Sequence, residues 1–164
     1  MAVITEQEAG KNVPAFLDML AYSEGTDNGK QATSDHGYDV LVGGGTFKGY
    51  ADHPRVLVDL PRYKIKSTAA GRYQELSRNY DAYRVMLKLP DFSPKSQDRI
   101  AIQQIKECGA LEDIKAGRFD DAVRKVRKIW ASLPGAGYGQ HEQQISNLRA
   151  AYVKAGGQLA TGVA

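Results

Sequence analysis

The sequence contains a single cysteine and no long apolar run. Cys108 alone excludes an intrachain disulfide and a zinc site built from several thiolates. It falls late in a predicted helix, where we interpret it as a buried structural thiol rather than a nucleophile. No run approaches the length of about 18 apolar residues that a membrane span needs, so we expect no membrane insertion. Residues 1–8 lack the basic start and apolar centre of a secretion signal, and we therefore expect a cytoplasmic location.

The sequence also has little excess of charge of either sign. The formal net charge is only +3, from 22 basic and 19 acidic residues. Because no dense basic patch with interleaved aromatics is present, nucleic-acid binding is not predicted. His36 and His53 each stand beside an aspartate, but no further ligand follows at a fixed spacing, so we predict no metal site. With 164 residues, of which 42% are hydrophobic, the chain is large enough for one core and is expected to be a monomer.

The hydrophobic pattern predicts an α+β fold in one domain, residues 1–164. Helical spacing over about 12–25 and again over 67–157 predicts a mostly helical lobe. Between them, about 26–66, turn-forming residues surround a short β-branched run at 38–42, which predicts a small β lobe. We expect a cleft between the two lobes. Residues 1–11 are polar and are expected to be loose.

Several element boundaries follow from the same pattern. Asn12 is a candidate N-cap for the first helix, and Ser93-Pro94 opens a later one. Apolar residues spaced by three and four from Tyr73 to Leu87 predict a helix, and a similar series over 119–133 predicts another. Residues 60–62 are interpreted as loop.

Glu24 lies on the apolar face of the first predicted helix. That face consists of residues at i, i+3, i+4 and i+7, namely Val13, Phe16, Leu17 and Leu20. At about 100° per residue, position i+11, which is Glu24, falls in the middle of this stripe. Burial and the negative end of the helix dipole would both raise the pKa of this carboxyl, as a general acid requires. The alternative is a glutamate in the last turn that bends into solvent.

Two blocks of sequence resemble the lysozyme-like superfamily. They are Leu-Ala-Tyr-Ser-Glu-Gly-Thr at 20–26 and Ser-Thr-Ala-Ala-Gly-Arg-Tyr-Gln at 67–74. In that superfamily the catalytic glutamate ends the first long helix, and a Gly-x-Tyr-Gln segment opens a helix that lines the cleft. Longer blocks, Asp-Phe-Ser-Pro-Lys-Ser-Gln-Asp at 91–98 and Ile-Trp-Ala-Ser-Leu-Pro-Gly-Ala-Gly-Tyr-Gly-Gln at 129–140, make the chain similar to phage endolysins of the lambda type.

The resemblance implies a peptidoglycan lytic transglycosylase. Such an enzyme cleaves the β-1,4 bond between N-acetylmuramic acid and N-acetylglucosamine without water and leaves 1,6-anhydromuramic ends. It implies that Glu24 is catalytic, that no cofactor is used and that peptidoglycan glycan strands are the substrate. It also implies two lips beside the cleft, about 56–66 and 134–140, and a holin that releases the enzyme from the host cytoplasm to the periplasmic wall. Tyr22 stands where the family has Trp, and an Ala-Ala pair at 69–70 replaces Gly-Ala; neither change touches Glu24.

Six further residues are candidates for substrate binding: Ser67, Thr68, Tyr73, Gln74, Tyr138 and Gln140. Tyr73 and Gln74 stand at a predicted helix start facing the cleft, although Tyr73 fits the core equally well. Ser67 and Thr68 have turn and capping roles as their alternative. Tyr138 lies between two glycines, and an aromatic ring on such a loop suits stacking on a sugar.

The residues alone leave three functions open. Glycosidases ordinarily use two carboxyl groups, and here only Asp27 and Asp39 are candidates for the second, both in turn-rich or strand-edge stretches. A transglycosylase needs only one acid, because its nucleophile is a hydroxyl of the substrate. A hydrolytic muramidase is the nearest alternative. A non-catalytic wall-binding module on the same fold is the third, and it would have no need for an acid on the apolar stripe.

Overall fold

The computed structural model describes residues 1–137 and 142–161. In chain order its elements are α1 (Glu6–Ala9), α2 (Asn12–Glu24), β1 (Val58–Leu60), β2 (Ile65–Ser67), α3 (Ser77–Leu87), α4 (Pro94–Glu107), α5 (Leu111–Lys115), α6 (Phe119–Val126) and α7 (Ile145–Lys154), with a 3₁₀ turn at Pro61–Tyr63. None of the helices in these two ranges is long and apolar enough to cross a membrane. The division into lobes at about residues 26 and 66 stays a prediction.

Helix α2 lies at the centre of the molecule, as the apolar spacing predicts. It packs against α1, α4, α5 and α7. Its Phe16 ring meets Phe119 of α6 and Tyr152 of α7 edge-on, with ring centroids 5.8 and 6.4 Å apart. Full burial of such side chains stabilises a fold by about 1.5–3 kcal/mol each. The helix ends at Gly25, whose φ of +77° gives the left-handed C-cap that glycine adopts without strain.

The prediction that residues 1–11 are loose is wrong. Thr5 and Glu8 form a capping box that starts α1, and Ala2 is buried. The backbone N–H groups of Val3 and Ile4 donate to the buried carboxylate of Asp98 over 2.9 and 2.8 Å. These contacts join positions more than ninety residues apart, so no local pattern indicates them.

The N-cap prediction for Asn12 is also wrong, because Asn12 is already inside α2. Its side-chain amide donates to the carbonyl of Ile114 in α5 over 3.0 Å instead. The helix start predicted at Ser93-Pro94 is confirmed, since the side chain of Ser93 accepts from the N–H of Ser96 at the start of α4.

The small sheet lies later in the chain than the sequence predicts. Strands β1 and β2 pair antiparallel, with Leu60 opposite Ile65. Residues 60–62, predicted as loop, are instead the end of β1 and the start of the 3₁₀ turn at Pro61–Tyr63. The predicted strand at 38–42 is reduced to bridges, Val40 with Thr46 and Leu41 with Ala70. The N–H of Gly71 donates to the carbonyl of Val40 over 2.8 Å, so this segment hydrogen-bonds a distant one instead of extending a local hairpin.

Two helices are shorter than their apolar series. Helix α3 begins at Ser77 rather than Tyr73, because Gln74 adopts a φ of +56° that no helix accommodates. Helix α6 ends at Val126, yet Trp130 and Leu133 beyond it are still buried. The spacing therefore identified core residues correctly but extended the helices through turns.

Candidate active site

Glu24 is the last residue of α2, and the end of this helix is held by contacts with two distant segments of the chain. The next residue but one, Thr26, is buried, and its hydroxyl donates to the carbonyl of Arg72 over 2.6 Å. Gly37 packs so closely there that a Cβ atom would lie 2.8 Å from the carbonyl oxygen of Thr26. The backbone that carries the glutamate is thus held by two distant segments of the chain.

The environment of Glu24 favours its protonated form. The residue is half-buried, and removal of water from its carboxyl raises the pKa to about 8. A hydrogen bond with Ser132 acts in the opposite direction without cancelling the effect. At pH 7 the carboxyl is therefore mostly protonated and able to donate a proton. The pKa shift predicted from the apolar stripe has the direction that the structure gives.

Ser132 connects Glu24 to the glycine-rich segment that follows it in the chain. Its hydroxyl oxygen lies 2.7 Å from that of Ser23, and its carbonyl accepts from the N–H of Gln143 over 2.8 Å. The Glu142 carboxylate accepts from the N–H groups of Gly135 and Gly137 over 2.9 and 3.0 Å. The base of the predicted second lip is therefore attached to the helix end that carries the acid.

Sequence reasoning missed Ser23, Ser132 and Glu142. Ser132 belongs to a block that carries the family resemblance, but nothing in the periodicity singles it out. Its contact with Ser23 spans 109 positions of the chain, which no local spacing can indicate.

The predicted substrate-binding residues occupy different environments. Ser67 and Thr68 are half-buried and have local roles, since Ser67 accepts from the N–H of Ala69 and Thr68 from that of Ser77, each over 3.1 Å. Gln74 is also half-buried, and its amide donates to the carbonyl of Gly71 over 2.9 Å. These three keep partly exposed surface that a sugar can reach.

Tyr73 lies in the core, as its alternative interpretation states. Its side chain is 3% exposed, and its hydroxyl donates to the buried carboxylate of Asp98 over 2.6 Å. A substrate cannot reach a ring in this position, so the structure does not support the prediction that Tyr73 binds sugar. Tyr138 and Gln140 lie outside the described residues.

Neither candidate for a second carboxyl is free to act with Glu24. Burial alone would raise the pKa of Asp27, but its hydrogen bond and ion pair with Arg72, at 3.1 Å, lower it overall. Asp39 accepts from the N–H of Ser34 over 2.9 Å and from the hydroxyl of Thr33. Both carboxylates are thus engaged in structural contacts.

His53 is held by hydrogen bonds within and beside its loop. Its Nε2 atom lies 2.8 Å from the carbonyl oxygen of Glu75, and its Nδ1 accepts from the N–H of Arg55 over 2.9 Å. Within residues 1–137 and 142–161, no three histidine, cysteine, aspartate or glutamate side chains gather as a metal site requires.

The candidate acid does not line the cavity next to the end of α2. A cavity of about 580 Å³ is lined by Asp18, Tyr22, Asp27, Arg72 and residues of α7, and Glu24 is absent from its lining. The chemistry of the carboxyl and its surroundings, rather than a volume, identifies the candidate site.

The fold places the chain among the lysozyme-like proteins. It is similar to the lysozyme from bacteriophage lambda in complex with a chitohexasaccharide, with a TM-score of 0.88 and 57% identity over 97% of this chain and 99% of that chain. A second structure of the lysozyme from bacteriophage lambda matches with a TM-score of 0.84 at the same identity and coverage. This likeness defines the class, a lysozyme-like α+β enzyme of the glycosidase type.

Sequence comparison then gives the family. A family model for endolysins matches residues 14–159. The endolysin of Escherichia phage lambda is 62% identical over 145 residues, which cover 88% of this chain and 91% of that protein. The endolysin of Escherichia phage P2 is 52% identical over 156 residues, which cover 90% of this chain and 94% of that protein. The chain belongs to the endolysin family, as the resemblance of its sequence blocks implies.

Proposed function

We propose that this endolysin is a lytic transglycosylase that cleaves the β-1,4 bond between N-acetylmuramic acid and N-acetylglucosamine, with Glu24 as its single acid–base catalyst. The observation that carries the proposal is the Glu24 carboxyl, whose pKa burial raises to about 8, while Asp27 and Asp39, the two candidates for a second carboxylate, are held in structural contacts. The lambda lysozyme complexed with a chitohexasaccharide supports a glycan as the ligand of this chain. Ser67, Thr68 and Gln74 are the proposed contacts to sugar among the described residues.

The proposed reaction needs one group that first gives and then takes a proton. Protonated Glu24 donates to the glycosidic oxygen, the bond from C1 to that oxygen breaks, and positive charge develops at C1. The Glu24 carboxylate then removes the proton of the muramic C6 hydroxyl, whose oxygen bonds to C1 and closes the 1,6-anhydro ring. The nucleophile is part of the substrate, so proximity replaces a positioned water and a second carboxylate. Glu24 ends the cycle protonated, as it began.

The product ends test this proposal directly. Digestion of peptidoglycan in ¹⁸O-labelled water, followed by mass spectrometry of the muropeptides, should give anhydro ends that are one water lighter than reducing ends and carry no label. A hydrolytic muramidase would give labelled reducing ends, and a wall-binding module would give no new ends. Either result would contradict the proposal.

Access to the wall is the remaining part of the proposed function. As a member of the endolysin family the protein acts on the bacterial cell wall. Release from the host cytoplasm to the periplasm by a holin, and action as a monomer, stay predictions that rest on the family resemblance and on the sequence.

A further inference from the structure

The β1–β2 hairpin carries three exposed cations. Arg62 and Lys64 lie in its turn, and Lys66 lies in β2. In the part of the chain that the structure describes, none of the three forms an ion pair, and Arg62 instead lies 5.8 Å from the centroid of the Tyr63 ring. Asp59, opposite Lys66 in the register, is the one carboxylate of the paired strands. The hairpin therefore presents a net positive charge to solvent.

The hairpin also exposes apolar surface beside these cations. Leu57, Tyr63 and Ile65 are 60%, 38% and 44% exposed. Leu60 and Val58 face the turn at Gly43, where a Cβ atom would lie 3.6 Å from a methyl carbon of each. Because side chains alternate across a strand, Lys66 faces away from this packed side. Asp59 lies beside Lys66 on this outer face, and Ile65, opposite Leu60, lies on the packed side although it stays 44% exposed. The exposed surface of the hairpin is therefore mixed, with cations in excess of carboxylates and apolar side chains beside them.

The position of the hairpin relates this surface to the candidate site. Ser67 ends β2, and Arg72, five positions later, accepts the hydrogen bond from Thr26 next to the end of α2. Five residues span at most about 18 Å, so the base of the hairpin lies within that distance of the backbone that positions Glu24. A glycan strand of several sugars bound at Glu24 is long enough to cover this distance.

We propose that the β1–β2 hairpin binds the acidic peptide stems of the substrate, through Arg62, Lys64 and Lys66. The inference rests on the proposed function, because it takes peptidoglycan as the substrate. In intact strands each muramic lactyl group is joined to its stem by an amide, so the sugars are neutral and the free carboxylates belong to the stems. Unpaired cations on a lip have charge complementarity to the stems and none to the sugars. The exposed Leu57 and Tyr63 would contact the apolar parts of the stem.

The experiment compares two forms of one substrate. Soluble, uncrosslinked glycan strands with intact stems are used directly, or after their stem carboxylates have been converted to amides by carbodiimide coupling. The wild-type protein should cleave the native strands about three- to tenfold faster in kcat/KM at low salt, because exposed ion pairs are individually weak and act here as a set. Added salt should reduce this preference by screening.

Two matched variants isolate the hairpin. The test variant carries Arg62→Gln, Lys64→Gln and Lys66→Gln, and the control carries Arg84→Gln, Lys88→Gln and Lys106→Gln on the exposed ends of α3 and α4. Both lose three positive charges, and Lys64 and Lys88 share a positive φ, of 53° and 52°. The test variant should lose the preference for native strands and keep the wild-type rate on amidated strands, while the control keeps both.

Three results would overturn the inference. One is a test variant that retains the preference, and another is a test variant that loses activity equally on both substrates. The third is a test variant that keeps the preference for native strands but no longer binds phosphatidylglycerol vesicles, which would assign the surface to lipid. Failure of the proposed transglycosylase function is distinguishable from failure of this inference. The wild type would then form no anhydro ends from amidated strands, whatever its preference between the two substrates.

Discussion

Replacing Glu24 with Gln should reduce the lytic activity by about 10³-fold or more while the protein still folds. The amide has the shape of the carboxyl but can neither donate an acidic proton to the leaving oxygen nor take one from the C6 hydroxyl, and general acid–base catalysis contributes rate factors of this order. The loss is measured as the rate of turbidity decrease of chloroform-treated Gram-negative cells. Circular dichroism and urea unfolding report whether the fold is retained.

The same substitution should stabilise the protein at alkaline pH. The folded-state pKa of Glu24 is raised to about 8 from the usual 4.5. Between these two values the native state binds a proton that the unfolded chain does not, so the stability of the wild type falls as pH rises through this window. Glu24→Gln removes this fall and should raise the free energy of unfolding by about 2–4 kcal/mol at pH 8, with little difference near pH 4. Activity and stability are opposed at this position.

The pH dependence of the free energy of unfolding must be compared between the wild type and Glu24→Gln. Glu75 remains in both proteins, and it also makes the stability fall as pH rises. Glu75 is 7% exposed, and burial raises its pKa to about 7. The substitution Glu6→Gln, at an exposed position of α1, serves as the matched control and should change neither lysis nor the pH dependence of unfolding. A Glu24→Gln protein that lyses cells at the wild-type rate, or whose stability gain is equal at pH 4 and pH 8, would contradict the account.

Replacing Arg72 with Ala should destabilise the protein by about 3–5 kcal/mol. Arg72 is 1% exposed, and its guanidinium donates to Asp18 and Asp27 over 2.9 and 3.1 Å, to the carbonyl of His36 over 2.9 Å and to the hydroxyl of Tyr73 over 3.1 Å. Removal of the side chain leaves two partly buried carboxylates without their shared cation and opens a cavity between them. Urea unfolding at pH 7 measures the effect.

Two further variants make the Arg72 result specific. Arg72→Lys should also destabilise, because one ammonium group cannot reproduce the planar set of donors that reaches four partners. Arg84→Ala, at an exposed position whose side chain forms no hydrogen bond or ion pair with the other described residues, should change the free energy of unfolding by no more than about 0.5 kcal/mol. A loss below about 1 kcal/mol for Arg72→Ala would show that this cluster does not hold the segments beside Glu24 together.

The central helix and its acid could be predicted from the sequence because their signals are local. The apolar spacing of α2, the position of Glu24 on that face and the Gly25 terminus all lie within fourteen consecutive residues, 12–25. Burial of an ionisable group then raises its pKa by simple desolvation, so the direction of the shift followed as well. The family was identified from longer blocks of sequence rather than from physical reasoning.

The parts that could not be predicted depend on contacts between distant segments. Asp98 receives the N–H groups of Val3 and Ile4, and Ser132 meets Ser23 across more than a hundred positions. No periodicity within one segment indicates such partners. The positive φ of Gln74 likewise delays the start of a predicted helix from Tyr73 to Ser77, because tertiary contacts of the 71–75 turn override the helical spacing.

The central claim is that Glu24 is protonated at neutral pH in the folded protein. A ¹³C NMR titration of the glutamate side-chain carboxyls, with the Glu24 signal assigned by its absence in Glu24→Gln, measures this directly. The account predicts a midpoint near 8 for the wild type and a higher one for Ser132→Ala, which loses the hydrogen bond that lowers the pKa. A wild-type midpoint near the ordinary 4.5 would contradict it, because Glu24 would then be a carboxylate at neutral pH with no proton to give.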